Sequence, residues 1–477
     1  MIFNQPVFVG FLILVFFLYW LPLSRHGAHK HPVLLLASYV FYGWWDWRYL
    51  GLILFCSLVA YASALAMREP ASQRIRKTSL IVAVAALLAV LLTFKYYDFF
   101  AASLVAAFHP IGITLHLSTL NVLLPVGISF YTFQAIGYTT SVYRREVKAC
   151  EKPITFLTFQ AFFPQLVAGP IERASSMLPQ LEARRPFSYA NAVLGCRLML
   201  LGAFKKMVVA DRIAPLADTI FGHQEIFSGS FNVLGAVLFS LQVYCDFSGY
   251  SDIARGVAKL FNLDLMVNFN RPYMAKSLRE FWSRWHISLN TWLRDHIYIP
   301  LGGHHGTWAR RSCNLMITFM LSGLWHGANW TFVCWGTMHG VFLIAERLAR
   351  GGLDRLPMAM RWGITMSVIL LGRVFFRAED IGHAWEYLGR TVEAGESLLF
   401  QFDRLLRTFE LSRVGFAATV LLTLLMMVID RALGNASARR WIEEHHMARR
   451  LGYAAMVGII LLFGVYSDQR AFIYFQF

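Results

Sequence analysis

Ser322-Gly-Leu-Trp-His-Gly-Ala-Asn-Trp330, continuing through Trp335-Gly-Thr-Met-His339-Gly340, sets two histidines, three tryptophans and an asparagine inside sequence otherwise suited to hydrocarbon. An imidazole there is costly to leave unpaired, so a histidine in an apolar run is a candidate functional residue whose partner has to be found. Apolar residues run from Asn314 to Leu324 and again from Trp330 to Ala345, flanked by Arg310-Arg311 before and Arg347 and Arg350 after. Basic flanks on one side of a membrane predict a down-and-back path. Its turn, at Trp325–Asn329, is expected deep in the bilayer, with His326 near the midplane.

The chain around this stretch has the same character. Its 477 residues are 57% hydrophobic, with mean hydropathy +0.49. Runs approaching the roughly 20 residues needed to cross a bilayer recur from end to end. The expected fold is all-α: a polytopic integral membrane protein with about 10–12 membrane-embedded helices, short re-entrant ones among them, around a central tunnel. A single domain over 1–477 is expected, comprising N-terminal helices (1–150), a catalytic core (151–350) and C-terminal helices (351–477). Val7–Leu21 follows no basic residue and precedes no small-residue cleavage site, so it reads as a retained helix and not a signal peptide.

The net charge of +16 (44 basic less 28 acidic residues) lies mostly in short loops between apolar runs. That is the positive-inside pattern of an inner-membrane protein, and no nucleic-acid motif accompanies it. Arg68–Lys77, Arg25–His31 and Arg144–Lys148 alternate consistently with the apolar runs, placing the N-terminus, and by extension the C-terminus, outside. Phe375–Arg413 reads as an outside loop, Arg431–Arg450 as an inside one, and Phe472–Phe477 as an aromatic interface anchor. The six cysteines are scattered without a Cys-x-x-Cys pair, suggesting neither a disulfide framework nor a zinc site.

Two further segments carry polar groups at membrane depth. Phe156–Ala168 is too short to span and ends in Gly169-Pro170, so it is expected to be re-entrant or buried. Tyr244-Cys-Asp246-Phe-Ser-Gly-Tyr-Ser-Asp252 follows a membrane run directly, and Gly249 between two carboxylates reads as a break facing a wet cavity. Asp246 and Asp252 are candidates to orient a histidine or substrate, with structural pairing, for instance to Arg255, the favoured reading. Lys205, Lys206 and Arg212 are expected near a cytoplasmic edge.

Between Asn268 and Arg311, Trp282, Trp285, Leu289 and Trp292 share one helical face, while His286, Asn290 and Arg294 at i, i+4 and i+8 share another. One reading is an interfacial helix with a snorkelling arginine; the other is a polar groove leading to His326, and the two are compatible.

A neutral imidazole suits proton transfer from a hydroxyl or thiol to a leaving group. No Gly-x-Ser-x-Gly elbow supplies a hydrolase nucleophile. Neither the spacing of His326 and His339 nor the His304-His305 pair resembles a metal-ligand set.

Leu324-Trp-His-Gly327, Arg284-Trp-His-Ile-Ser-Leu-Asn-Thr-Trp-Leu-Arg-Asp295, the Tyr244–Asp252 segment, Phe163-Pro-Gln-Leu-Val-Ala-Gly-Pro170 and the terminal Phe-Ile-Tyr-Phe-Gln-Phe together resemble the membrane-bound O-acyltransferase family. Within it they are similar to the bacterial polysaccharide branch that includes alginate O-acetylation membrane subunits. The resemblance implies that His326 is the catalytic histidine and that His286, a second candidate catalytic residue, matches the family's second, more cytoplasmic histidine or asparagine position. It also implies a cytoplasmic thioester donor, most simply acetyl-CoA, with no bound cofactor. The acetyl group would pass to a periplasmic or membrane-anchored acetyltransferase with a serine nucleophile, which modifies an exopolysaccharide. Asn290, Arg294, Trp325, Asp246 and Asp252 are the candidate substrate-binding residues around that site. The competing reading is a polysaccharide or lipid transporter whose polar residues line a path.

Overall fold

Every secondary-structure element formed by the described residues is helical. The computed structural model describes residues 1–21, 29–167, 169–183, 185–393, 396–408, 412–466 and 472–473. Among the described residues, six helical segments are long and apolar enough to cross a membrane: Lys30–Ala66, Gln73–Ile111, Ser230–Leu260, Met358–Arg377, Arg413–Gly434 and His446–Phe463. The shorter Pro6–Trp20 is also apolar. Some of their large apolar side chains stay exposed, Leu36, Val82 and Leu421 among them, as lipid-facing surfaces require, whereas Ser230–Leu260 is mostly buried.

The contacts divide the chain into two compact units. The first comprises Met1–Cys196 and Ala254–Met266. Ile128–Tyr143 is its most enclosed long helix, buried along most of its length. The apolar run from about Asn121 to Val142 reads from sequence as a span, but residues 113–125 are irregular and the helix starts only at Gly127, φ +75°. The stretch expected to be re-entrant forms two short buried helices, Pro153–Ala161 and Phe163–Leu166. Their free backbone groups are met from inside the protein. Gln134 and Gln165 each donate to the carbonyl of Phe159 (2.8 and 2.7 Å), and the Phe163 N–H donates to Ser38 Oγ at 3.1 Å. Irregular backbone shielded from lipid is tolerated on those terms.

The second unit comprises Arg197–Ile253 and Val267–Phe477. Ser230–Leu260, whose last residues belong to the first unit, is one unbroken helix of 31 residues. Gly249 therefore does not break it. A Cβ on Gly249 would lie 2.8 Å from the Gly202 carbonyl oxygen, and one on Gly202 would lie 2.4 Å from that of Gly249. The glycine is there for close helix contact, the usual task of small residues between membrane helices.

The predicted outside loop after Phe375 is instead helical at Ile381–Val392 and Leu398–Thr408. Leu405 packs with Leu216, Ile220, Phe227 and Phe231 in a buried cluster. Both helices are strongly amphipathic, and alternation with charge hid them within a mixed-charge stretch. The expected inside loop likewise contains the helix Ala436–Glu444.

Candidate active site

The down-and-back path is present as a hairpin, Trp308–His326 followed by Trp330–Leu353. Asn329 turns the chain by capping the return helix: its Oδ1 accepts the Thr331 N–H at 3.0 Å, and its Nδ2 donates to the Glu379 carbonyl at 2.8 Å. The two helices meet backbone to backbone, since a Cβ on Gly323 would fall 2.1 Å from the Phe332 carbonyl oxygen and one on Gly336 2.2 Å from that of Phe319. The first helix is longer than its apolar core, because Trp308–Cys313 is polar yet helical. At 1.5 Å per residue, His326 stands about 22 Å along the axis from Arg311.

His326, the last residue of that helix, is buried. Its ring lies edge-on to Trp325 and Trp335, each 5.0 Å away between centroids, and to Phe376 at 5.4 Å. His286 is equally buried, with its ring 6.4 Å from that of His326 and 5.5 Å from Trp325. Thus two imidazoles and Trp325, all singled out from sequence, converge. His339 lies on the far side of Trp335, 5.0 Å from it and 4.9 Å from Trp282, packed where a Cβ on Gly372 would touch its Nε2.

His286, Asn290 and Arg294 do not share a groove. The expected single helix is interrupted at Trp285–His286, leaving Leu278–Arg284 and Ile287–Leu293. His286 sits between them at φ +42°, ψ +55°, a left-handed conformation that costs on the order of 1–3 kcal/mol outside glycine and is typically held by its surroundings. Asn290 Nδ2 donates to the carbonyls of Trp282 (2.7 Å) and Trp285, closing the end of the preceding helix. Arg294 projects outward with Asp295 at 2.7 Å. The break turns His286 inward and Arg294 outward, which helical periodicity could not foresee.

The carboxylates are ion-paired from an unexpected quarter. Lys205 and Lys206 are not at an exposed edge but buried in a wide helical turn, Phe204–Ala210. Lys205 Nζ lies 2.9 Å from Asp252 Oδ2, and Lys206 Nζ lies 2.7 Å from Asp246 Oδ1 and 2.9 Å from Asp211 Oδ1. Asp246 Oδ2 also accepts the Ile473 N–H at 2.8 Å. The neighbouring Phe472 is buried against Phe247 and Tyr250, so this part of the tail is not an interface anchor. Residues 474–477 lie outside the described residues. Phe247 in turn packs edge-on against His286 at 4.7 Å, joining the carboxylate cluster to the imidazole pair.

Sequence reading missed Arg373. It is buried within Met358–Arg377, its guanidinium 4.4 Å from the Trp285 ring centroid and 5.8 Å from that of Phe376, with Nε donating to Ser240 Oγ at 3.4 Å. An arginine inside an apolar run was the available signal.

The buried imidazoles of His286 and His326 thus lie together beside Trp325, with Trp335 against His326. The family model for the membrane-bound O-acyltransferase family matches residues 151–376, which include both imidazoles and Arg373. The chain is 39% identical to a probable alginate O-acetylase AlgI of Azotobacter vinelandii, over 85% of this chain and 80% of that protein. It is 33% identical to the peptidoglycan O-acetyltransferase of Helicobacter pylori, over 100% of this chain and 98% of that one. A teichoic acid D-alanyltransferase of Streptococcus thermophilus matches more narrowly, at 28% identity over 46% of this chain. The chain belongs to the membrane-bound O-acyltransferase family. It is a multi-pass membrane protein and an O-acyltransferase.

Proposed function

We propose that the chain takes an acetyl group from a cytoplasmic thioester, acetyl-CoA or another acyl thioester, and passes it across the inner membrane for O-acetylation of an alginate-like exopolysaccharide. His326 is the general base. A hydroxyl oxygen of the acceptor attacks the thioester carbonyl carbon, the C–O bond forms and the C–S bond breaks. His326 takes the hydroxyl proton and returns it to the departing sulfur, so ester and free thiol leave with charge balanced. The acceptor is the serine hydroxyl of a periplasmic or membrane-anchored acetyltransferase, which hands the acetyl group to the polymer.

The observation that carries this reading is the burial of His326 at the turn of a glycine-packed hairpin, with a second buried imidazole one ring-width away. In this scheme His286 and Trp325 shape the reacting end of a central tunnel, and Asn290 holds the turn that presents His286. Asp246 and Asp252 act from behind Phe247 as positioning residues. Arg294, outward-facing, is suited to meet donor phosphates. The whole chain acts as one domain, with both termini outside.

The test is His326→Ala in cells carrying the full acetylation system. Polymer acetylation should fall to background while polymer export and membrane protein level persist. Loss of export would favour a transporter, and surviving acetylation would remove His326 from the chemistry.

A further inference from the structure

A groove of about 1040 Å³ opens within the second unit, and none of His286, His326 or His339 lines it. It follows the helix Arg413–Gly434 from Phe416 to Gly434, roughly 27 Å at 1.5 Å per residue and close to the ~30 Å hydrocarbon thickness of a bilayer. Its walls are apolar: Leu238 from one helix, Met366 and Ile369 from a second, Val420 and Leu424 from a third.

Its Gly434 end is different. Arg271 and Arg431 line it there, brought from two separate segments, and Lys276 also lines the groove. Arg271 lies directly against Gly434, where a Cβ would overlap its guanidinium, so the glycine makes room for the charge. The Arg271 guanidinium's hydrogen-bond partner is the neutral Asn270 side chain, and among the described residues none of these three cations is salt-bridged. The nearby Asp430 lines a small adjoining recess and accepts the Tyr244 hydroxyl at 3.0 Å. Arg271 and Arg431 against Asp430, already engaged with Tyr244, leave the mouth positive, while Lys276 is flanked by Glu280, whose Oε2 accepts the Lys276 N–H at 2.7 Å.

Its bilayer-matched length and apolar walls suit extended hydrocarbon chains. We infer that the groove holds an anionic glycerophospholipid, with acyl chains along Arg413–Gly434 and the headgroup phosphate on Arg271 and Arg431. Arginine forks bind phosphate bidentately, and the mouth offers a headgroup amine little to pair with.

The test reconstitutes the full chain in nanodiscs of equimolar phosphatidylglycerol and phosphatidylethanolamine, returns it to mild detergent, and counts retained lipid by native mass spectrometry. About one phosphatidylglycerol per chain should persist. Arg271→Gln with Arg431→Gln should lower its retention at least tenfold, whereas Arg347→Gln, an exposed arginine elsewhere, should not. Leu238→Trp narrows the groove without touching the cations and should also expel the lipid, which provides a second reading should the double variant not be monodisperse. Equal retention of the two lipids by the parent protein, or undiminished phosphatidylglycerol in Leu238→Trp, overturns the assignment.

Discussion

Gly323→Ala tests how tightly the hairpin holds His326. The new Cβ would lie 2.1 Å from the Phe332 carbonyl oxygen and 3.4 Å from the Gly336 Cα. Carbon and carbonyl oxygen normally stay about 3.3–3.6 Å apart, so the helices must part by about 1.2 Å or more. Overpacking of this kind costs about 1–3 kcal/mol, and the better helix propensity of alanine returns at most ~1 kcal/mol. The net expectation is a loss of up to about 3 kcal/mol. The greater effect falls on activity, because His326 follows Gly323 by less than one turn. A displacement of ~1 Å at a reacting group can cost about 100-fold in rate. Gly351→Ala is the control: it sits on the return helix with nothing within 4 Å of an added Cβ, and should be neutral or stabilising by up to ~1 kcal/mol. Thermal unfolding of purified protein and acetylation of polymer in cells measure the two effects. If Gly323→Ala matches Gly351→Ala in both, the hairpin contact does not position His326.

Other outcomes follow from the charge placements. Asp246→Asn removes one of two carboxylates on buried Lys206 and should destabilise by about 3 kcal/mol, the lower end for a broken buried pair because Asp211 remains; a shift of less than ~1 kcal/mol in detergent unfolding would refute the pairing. Arg294→Ala should change stability by no more than ~0.5 kcal/mol, since its pair with Asp295 is exposed, while raising the apparent KM for a nucleotide-bearing donor. Burial raises the Glu172 carboxyl to about 8, against the opposing pull of the Met266 N–H and Arg255. Folded Glu172 therefore keeps its proton between pH 4.5 and 8 while the unfolded chain releases it, so this contribution to stability is full below pH 4.5 and lost as pH rises towards 8. Glu172→Gln should flatten the melting temperature across that window, and an unchanged slope would refute the assignment.

Much of this protein was legible in its sequence because hydrophobicity is additive along the chain. The apolar runs, the hairpin at Trp325–Asn329 and the cost of an imidazole within it depend on neighbouring residues, and the separated motifs sufficed to indicate the family. Side-chain destinations were not legible by the same logic. Lys205 and Lys206 have the local pattern of a cytoplasmic edge, yet they are buried because carboxylates some forty residues distant meet them. His286 and Arg294 have the spacing of one helical face, but a left-handed turn at His286 sends one inward and the other outward. Gly249 could equally have been a hinge or a contact, and only the partner glycine at 202 decides. Phe472 has the composition of a membrane anchor until Asp246 holds the next backbone N–H and Phe247 receives its ring. What the sequence by itself determined was where chain could enter hydrocarbon and where polar groups would be costly there. Which distant group offsets each cost is a question of three-dimensional pairing, and only the tertiary structure decided it.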